Sequence, residues 1–330
     1  MDAFLLGAPL GYAVDTLVGD PRRGHPVAVF GRAAGALERR LWADSRPVGA
    51  LFTALCVGAV AAGAAALDRR SPAAGRAALA AGAVWSVLGG ATLVREARTI
   101  ARALERGDLA AARARLPHLC GRDPRHLDAA GISRAVVESV AENTADAVVN
   151  ALVWGALAGT PGLLGFRAVN TLDAMVGHRS PRHLRFGWAS ARLDDLVGWP
   201  GARLTALLTA AAAPEPGRAL RVWRRDGGAH PSPNAGQAES AFAGALGVRL
   251  GGSLAYGEHG ERVEHRPVLG GEFPPPAGAD IERACRLSRR VGALALGAAL
   301  AGRAALLGAT AARVAARRGA GGEAGRRAGR

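Results

Sequence analysis

Acidic and carboxamide side chains crowd both ends of an apolar run between Glu138 and Asp195, and nothing else constrains this chain as strongly. The segment opens as Glu138-Ser-Val-Ala-Glu142-Asn143-Thr-Ala-Asp146 and continues through residues apolar enough to enter a bilayer. It then carries Asn170-Thr171-Leu172-Asp173 and closes on Arg192-Leu193-Asp194-Asp195. An acid at membrane depth costs roughly 3 kcal/mol or more, so it marks a site rather than ordinary packing. In a helix, Glu138, Glu142, Asp146 and Asn150 recur every four residues and form one slowly drifting polar stripe. Oxygen ligands in that arrangement suit a hard cation.

The surrounding chain reads as membrane-embedded. Leu51–Leu67 and Ala77–Val94 contain no charged side chain, and each is long enough to cross about 30 Å of hydrocarbon as a helix. Ala3–Val18, Ala145–Phe166, Val197–Ala213 and Val291–Ala312 are weaker candidates. The first lacks a basic leader and a cleavage site, so it is expected to be retained. Gly159-Thr160-Pro161-Gly162 interrupts the fourth, the pattern of a broken helix lining a cavity. Residues 95–115 read as an interfacial amphipathic helix, and Asp128 is placed to cap the helix carrying the acids. The expected fold is all-α: a polytopic integral membrane helical bundle with interfacial helices. Residues 1–316 form a single membrane-embedded domain, whose aqueous portion (about 214–290) turns a small hairpin near Tyr256–Val268. A disordered Arg/Gly-rich tail occupies 317–330.

A formal net charge of +15 comes from Arg alone, because the chain has no Lys. These arginines are scattered over every loop without aromatic interleaving, which argues against nucleic acid and for anionic lipid headgroups or phosphate-bearing substrates. If all six segments span, the loops 19–48, 95–144 and 214–290 lie together with 26 Arg against 14 opposite, and the positive-inside bias places them in the cytoplasm. That topology puts the 166–196 motif on the far face, away from the other polar motifs, so either the interrupted segments 145–166 and 197–213 do not fully cross or the motifs meet inside the membrane. Cys56, Cys120 and Cys285 are isolated, so neither a disulfide framework nor a thiolate zinc site is indicated. No Walker A loop, nucleophile elbow or His-Glu-x-x-His pair occurs, and His178 and His183 read as solvated.

The remaining chemistry is rich in oxygen. Glu138, Glu142, Asn143, Asp146, Asn170, Asp173, Asp194 and Asp195 suit Mg²⁺ held together with substrate phosphates, and Arg122 and Arg192 can clamp a phosphate or carboxylate. Two further motifs stand apart. Gly19-Asp20-Pro21 with His25-Pro26 reads as a rigid turn, and His230-Pro231-Ser232-Pro233-Asn234-Ala235-Gly236 as a stiff loop presenting His, Ser and Asn.

Taken in order, these motifs, with Gly121-Arg122-Asp123 and Phe186–Asp195, resemble the CobD/CbiB family, the membrane-bound adenosylcobinamide-phosphate synthases of cobalamin biosynthesis. The resemblance runs from Asp15 to about Gly270. Pro124, Ala147, Ala174 and His178 depart from the usual pattern beside the polar residues without replacing them. The resemblance implies an ATP- and Mg²⁺-dependent ligase of the cell inner membrane, its site facing the cytoplasm. It would join 1-amino-2-propanol or its O-phosphate to a propionate of adenosylcobyric acid. Metal ligation would fall to Glu138, Glu142, Asp146 and Asp173, with Arg192 aiding charge neutralisation. Asp194, Asp195 and His230 are alternative bases. Substrate or nucleotide contacts would come from Asp20, His25, Arg122, Asn143, Asn170, Ser232 and Asn234. Other membrane enzymes of the corrinoid pathway are candidate partners. The rival readings are a non-catalytic sensor or structural relative and a corrinoid-related transporter.

Overall fold

Ala, Leu and Arg, all strong helix formers, dominate the chain, and the computed structural model, which describes residues 2–20, 24–178, 180–256 and 262–328, is almost wholly helical. In chain order the helices are α1 (Ala3–Val18), α2 (Pro26–Leu41), α3 (Arg46–Arg70), α4 (Ala73–Val87), α5 (Gly90–Glu105) and α6 (Leu109–Arg115). They continue as α7 (Ala129–Asn143), α8 (Asn150–Val176), α9 (Trp188–Ala212), α10 (Pro216–Asp226), α11 (Ala235–Leu246) and α12 (Gly278–Ala328). Capping follows local chemistry. The Asp2 carboxylate accepts from the amides of Phe4 and Leu5, and Asp128 accepts from Gly131 as its position suggested.

Four stretches are long and apolar enough to cross a membrane: Arg46–Arg70, Ala73–Glu105, Ala129–Val176 and Gly278–Arg313. α1 is a shorter apolar helix, and the expected segment Val197–Ala213, within α9, is not among the four. The third stretch does not run straight. Gly159 adopts φ 66°, ψ −157°, a conformation that only glycine accepts readily, and Pro161 follows it. Asp146 and Asp173 would lie about 40 Å apart along a straight helix, yet their carboxylates repel one another electrostatically. A Cβ on Gly155 would come within 3.2 Å of the Leu163 side chain. The chain therefore reverses at Gly159, and both ends of the segment emerge on one side. This removes the defect in the six-span topology: the 166–196 motif lies with the other polar motifs, and the asparagine of the His-Pro loop donates to the Asp195 carbonyl (2.9 Å).

α1 packs on α4, α3 on α8, and α12 against α5, α7 and α9 around a core that includes Leu88, Ile100, Ile132, Leu152 and Phe242. A smaller core joins α2, α3 and the end of α8 through Phe52, Leu172, Val176 and Phe186, with the two phenyl rings 5.1 Å apart. Beyond α11 an antiparallel pair, β1 (Leu250–Tyr256) and β2 (Arg262–Leu269), forms the expected hairpin; its turn, 257–261, lies outside the described residues, as does Pro21. α12 carries helical backbone through Ala328, where a disordered tail was expected. Ala and Arg propagate a helix already nucleated in the preceding apolar turns.

Gly49 in α3 abuts the Phe186 carbonyl so closely that a Cβ would overlap it, whereas Gly58 on the same helix faces open space. Gly49→Ala is expected to lower stability by about 1–3 kcal/mol while Gly58→Ala stays near neutral, read as thermal midpoints in detergent.

Candidate active site

Between α7 and α8 the chain takes a π-helical turn, Thr144–Val149. Such a turn widens the helical repeat, so the acidic stripe does not drift evenly as four-residue spacing implies. The Thr144 hydroxyl meets that of Ser288 on α12 at 2.7 Å. Asn150 turns into α9, where Gly201 leaves room for it, and among the described residues neither polar atom of its fully buried carboxamide has a hydrogen-bond partner. Glu138 is buried behind the site: its Oε2 accepts from Arg122 (2.6 Å) and its Oε1 from the Gly251 amide of β1 (2.7 Å). This pair fastens the hairpin to α7. Glu138 is thus engaged as a buried anion with Arg122 as its counter-ion, where a metal ligand and a phosphate clamp were expected.

Four acids lie within electrostatic reach of one another. Glu142 is solvent-accessible and Asp146, Asp173 and Asp194 are half-buried, and each feels the charge of the others. Asn170 donates to Asp194 Oδ1 (3.4 Å) and accepts from Arg167 (3.3 Å), which lies between Asp146 and Asp20. Burial, with Asp173 adding its charge, pushes the Asp194 carboxyl up to about 7. Among the described residues no three His, Cys, Asp or Glu side chains are grouped as a metal cage. Magnesium does not need one: it takes one or two carboxylates and completes its shell with phosphate oxygens and water. A gathering of hard oxygen donors fits that habit.

The other expected residues fall around these acids. Arg192 is exposed at the rim and donates to Asp195 (3.2 Å), and the Asp195 carbonyl receives Asn234, whose other end takes a bond from Arg203 (2.9 Å). His25 caps α2 with its Nδ1 accepting from Val27, and its Nε2 lies 3.9 Å from Asp20. Asn143 turns back on α7, its Nδ2 donating to the Ser139 carbonyl (2.9 Å). His183, expected in solvent, is instead 3.1 Å from Glu38 of α2, a partner 145 residues away that no local pattern announces. His178 faces Asp173.

The His-Pro loop is locked from within. His230 Nδ1 accepts from the Ser232 amide (3.0 Å), the Ser232 hydroxyl accepts from the amides of Asn234 and Ala235, and Gly236 leaves space that a Cβ would deny the imidazole. A neutral His230 with its Nδ1 lone pair so occupied carries its proton on Nε2. That nitrogen lies 4.0 Å from Glu239, a buried acid of α11. Burial pushes the Glu239 carboxyl well up, and Glu138 and Glu142 add to the effect. Glu239, Arg167 and Arg266, which acts on both Glu142 and Glu239, are site residues that the motif reading missed. A lone Glu in the otherwise small, apolar run Ala235–Leu246 was the available signal for the first of them.

Two measurements test this arrangement. Glu138→Gln is expected to cost about 3–5 kcal/mol by stripping a buried guanidinium of its counter-charge, whereas Arg122→Met with Glu138→Leu costs less than that single change. Asp194 has a raised folded pKa, so its contribution is fully present below the unfolded value near 4 and is lost as pH rises through about 7. Without divalent ions, denaturation midpoints should fall over that window, and Asp194→Asn should flatten the fall.

Comparison with known proteins places these residues in context. The family model described as "CobD/Cbib protein" matches residues 8–288. A Mycobacterium tuberculosis protein named "Cobalamin biosynthesis protein CobD" is 53% identical over 290 residues, covering 87% of this chain and 91% of the relative. Proteins of the same name from Rhodobacter capsulatus (42% over 274 residues; 82% and 86% covered) and Chromobacterium violaceum (40% over 297; 86% and 91%) are also similar. No solved structure matches the chain.

Proposed function

Because this chain belongs to the CobD/CbiB family, we propose that it is a cobalamin-pathway amide ligase of the cell membrane. It joins 1-amino-2-propanol, or its O-phosphate, to a propionate of adenosylcobyric acid at the expense of ATP. The observation that carries this reading is the gathering of Glu142, Asp146, Asp173 and Asp194 within electrostatic reach of one another, beside Arg167 and Arg266.

A carboxylate is a poor electrophile and must be activated. One propionate oxygen attacks the γ-phosphorus of ATP, ADP leaves, and an acyl phosphate results. The amine nitrogen then attacks the acyl carbon, the bond from carbon to the phosphate oxygen breaks, inorganic phosphate departs, and a proton from nitrogen passes to a base. When bound, Mg²⁺ held by Glu142 and Asp173, with Asp146 beside them, would neutralise charge on the transferring phosphoryl group. Arg192, at the rim with Asp195, is placed to meet an anion arriving from solvent. Of the three candidate bases, Asp194 suits the task best. Its pKa near 7 matches a base at neutral pH, Asp195 is tied to Arg192, and the free lone pair that His230 would need is taken by Ser232. His230 then serves as a donor held against Glu239.

The positive-inside bias supports a cytoplasmic site in the inner membrane, where ATP and corrinoid intermediates are at hand. The test is direct. Purified protein with adenosylcobyric acid, aminopropanol phosphate and Mg-ATP should yield the amide by mass, and chelation of divalent ions should stop it. Glu142→Gln, Asp173→Asn and Asp194→Asn should each reduce turnover by about 10²-fold or more with folding intact. Near-normal rates in all three would discard the site, and tight corrinoid binding without product would favour a sensor or transporter.

A further inference from the structure

Where the ends of α9 and α11 meet the first turns of α12, a hollow of about 190 Å³ opens that none of the four acids lines. Arg283, Arg286 and Arg290 of α12 line it at spacings of three and four residues, so they stand on one face of the helix. Leu287 lies among them, and Leu246 of α11 and Ala212 of α9 complete an apolar floor. Arg283 is fixed: it donates to Asp280 and to the Leu246 carbonyl, both at 2.6 Å. Arg286 is weakly matched, because its acid, Glu282, is already bound at two points by Arg98 (2.8 Å each) and lies 3.5 Å from Arg286. Among the described residues Arg290 has neither a hydrogen bond nor an ion pair.

These arginines stand at the polar edge of a span. They belong to the stretch Gly278–Arg313, long and apolar enough to cross a membrane, and Val291–Gly302 follow Arg290 without a charged side chain. Only 22% of the most apolar part of that stretch is buried, so most of it faces outward. The face that carries Arg283, Arg286 and Arg290 continues as Leu294, 43% exposed, and Gly297, also exposed. Two guanidinium groups without a full counter-charge call for an oxygen-rich anion, whereas the apolar floor and the bare track beneath it call for hydrocarbon. A free phosphate answers only the first demand. A phospholipid of net negative charge answers both, and at the depth where its headgroup lies. We propose that this hollow binds an anionic phospholipid, its phosphodiester between Arg286 and Arg290 and an acyl chain along Leu287, Leu294 and Gly297. Because α9 carries Asp194 and α11 carries Glu239, a lipid seated here braces two helices that bring acids to the site. That holds whatever reaction those acids perform, so the assignment is independent of the ligase reading.

The experiment takes the full chain, purified in detergent and stripped of lipid, and titrates it with phosphatidylglycerol, phosphatidylcholine or glycerol 3-phosphate. Native mass spectra and thermal midpoints are read together. One phosphatidylglycerol per chain should be retained and raise the midpoint, and zwitterionic phosphatidylcholine should bind about tenfold more weakly. Arg286→Gln with Arg290→Gln should weaken phosphatidylglycerol about tenfold, and Arg290→Gln alone about fivefold. The single change breaks no contact within the described protein, so it decides the matter if the double variant fails to fold. Arg221→Gln with Arg224→Gln removes the same charge from exposed positions on α10 and should leave retention unchanged. Equal retention of the two lipids by the native chain, or native-like retention by the Arg290 variants, overturns the assignment. Displacement of phosphatidylglycerol by an equal concentration of glycerol 3-phosphate gives the hollow to a soluble phosphate, and the lipid assignment falls.

Discussion

Like charges held close together in a low-dielectric setting repel, and the architecture is arranged around containing that repulsion. Glu142, Asp146, Asp173 and Asp194 are drawn together from α7, the π turn, α8 and α9, and two features make this tolerable. Arg167 and Arg266 are placed among the acids, and Asn170 bridges Arg167 to Asp194. Glu138, one turn from Glu142, solves the same problem differently: it is sealed off and neutralised by Arg122 and a hairpin amide. Neighbouring acids on one helix thus have opposite fates, one structural and one available to a ligand.

The fold class was legible because its signals are local. Apolar run length marks the long helices, Asp128 marks a helix start, and the Gly-Pro cluster after Leu157 marks a break. What the break does was not legible. A glycine at positive φ can kink a helix or reverse it, and only the approach of Leu163 to Gly155, with Asp173 reaching the level of Asp146, distinguishes the two. Counting arginines across six assumed spans therefore misplaced the 166–196 motif.

The gathering of Glu142, Asp146, Asp173 and Asp194 was legible in the sequence, and the partners around them less so. Equal spacing assigned Glu138, Glu142, Asp146 and Asn150 to one stripe, but the π turn at Thr144–Val149 breaks the even rotation, and hydrogen bonding there is invisible to a four-residue period. The pairing of Arg122 with Glu138, and of His183 with Glu38, depends on elements far apart in sequence. Glu239 lay one helical turn past a recognised motif, in a stretch whose small residues read as packing. Within the His-Pro loop the prolines and Gly236 signalled rigidity correctly, while the assignment of His230 as a donor required the Ser232 amide at its Nδ1.

The reversal at Gly159 also bears on how the protein is made. A segment whose limbs begin and end on the same face can enter the bilayer as a closed pair after its neighbours are seated, with no hydrophilic loop to translocate. Its acids and Arg167 then need no passage across the hydrocarbon on their own.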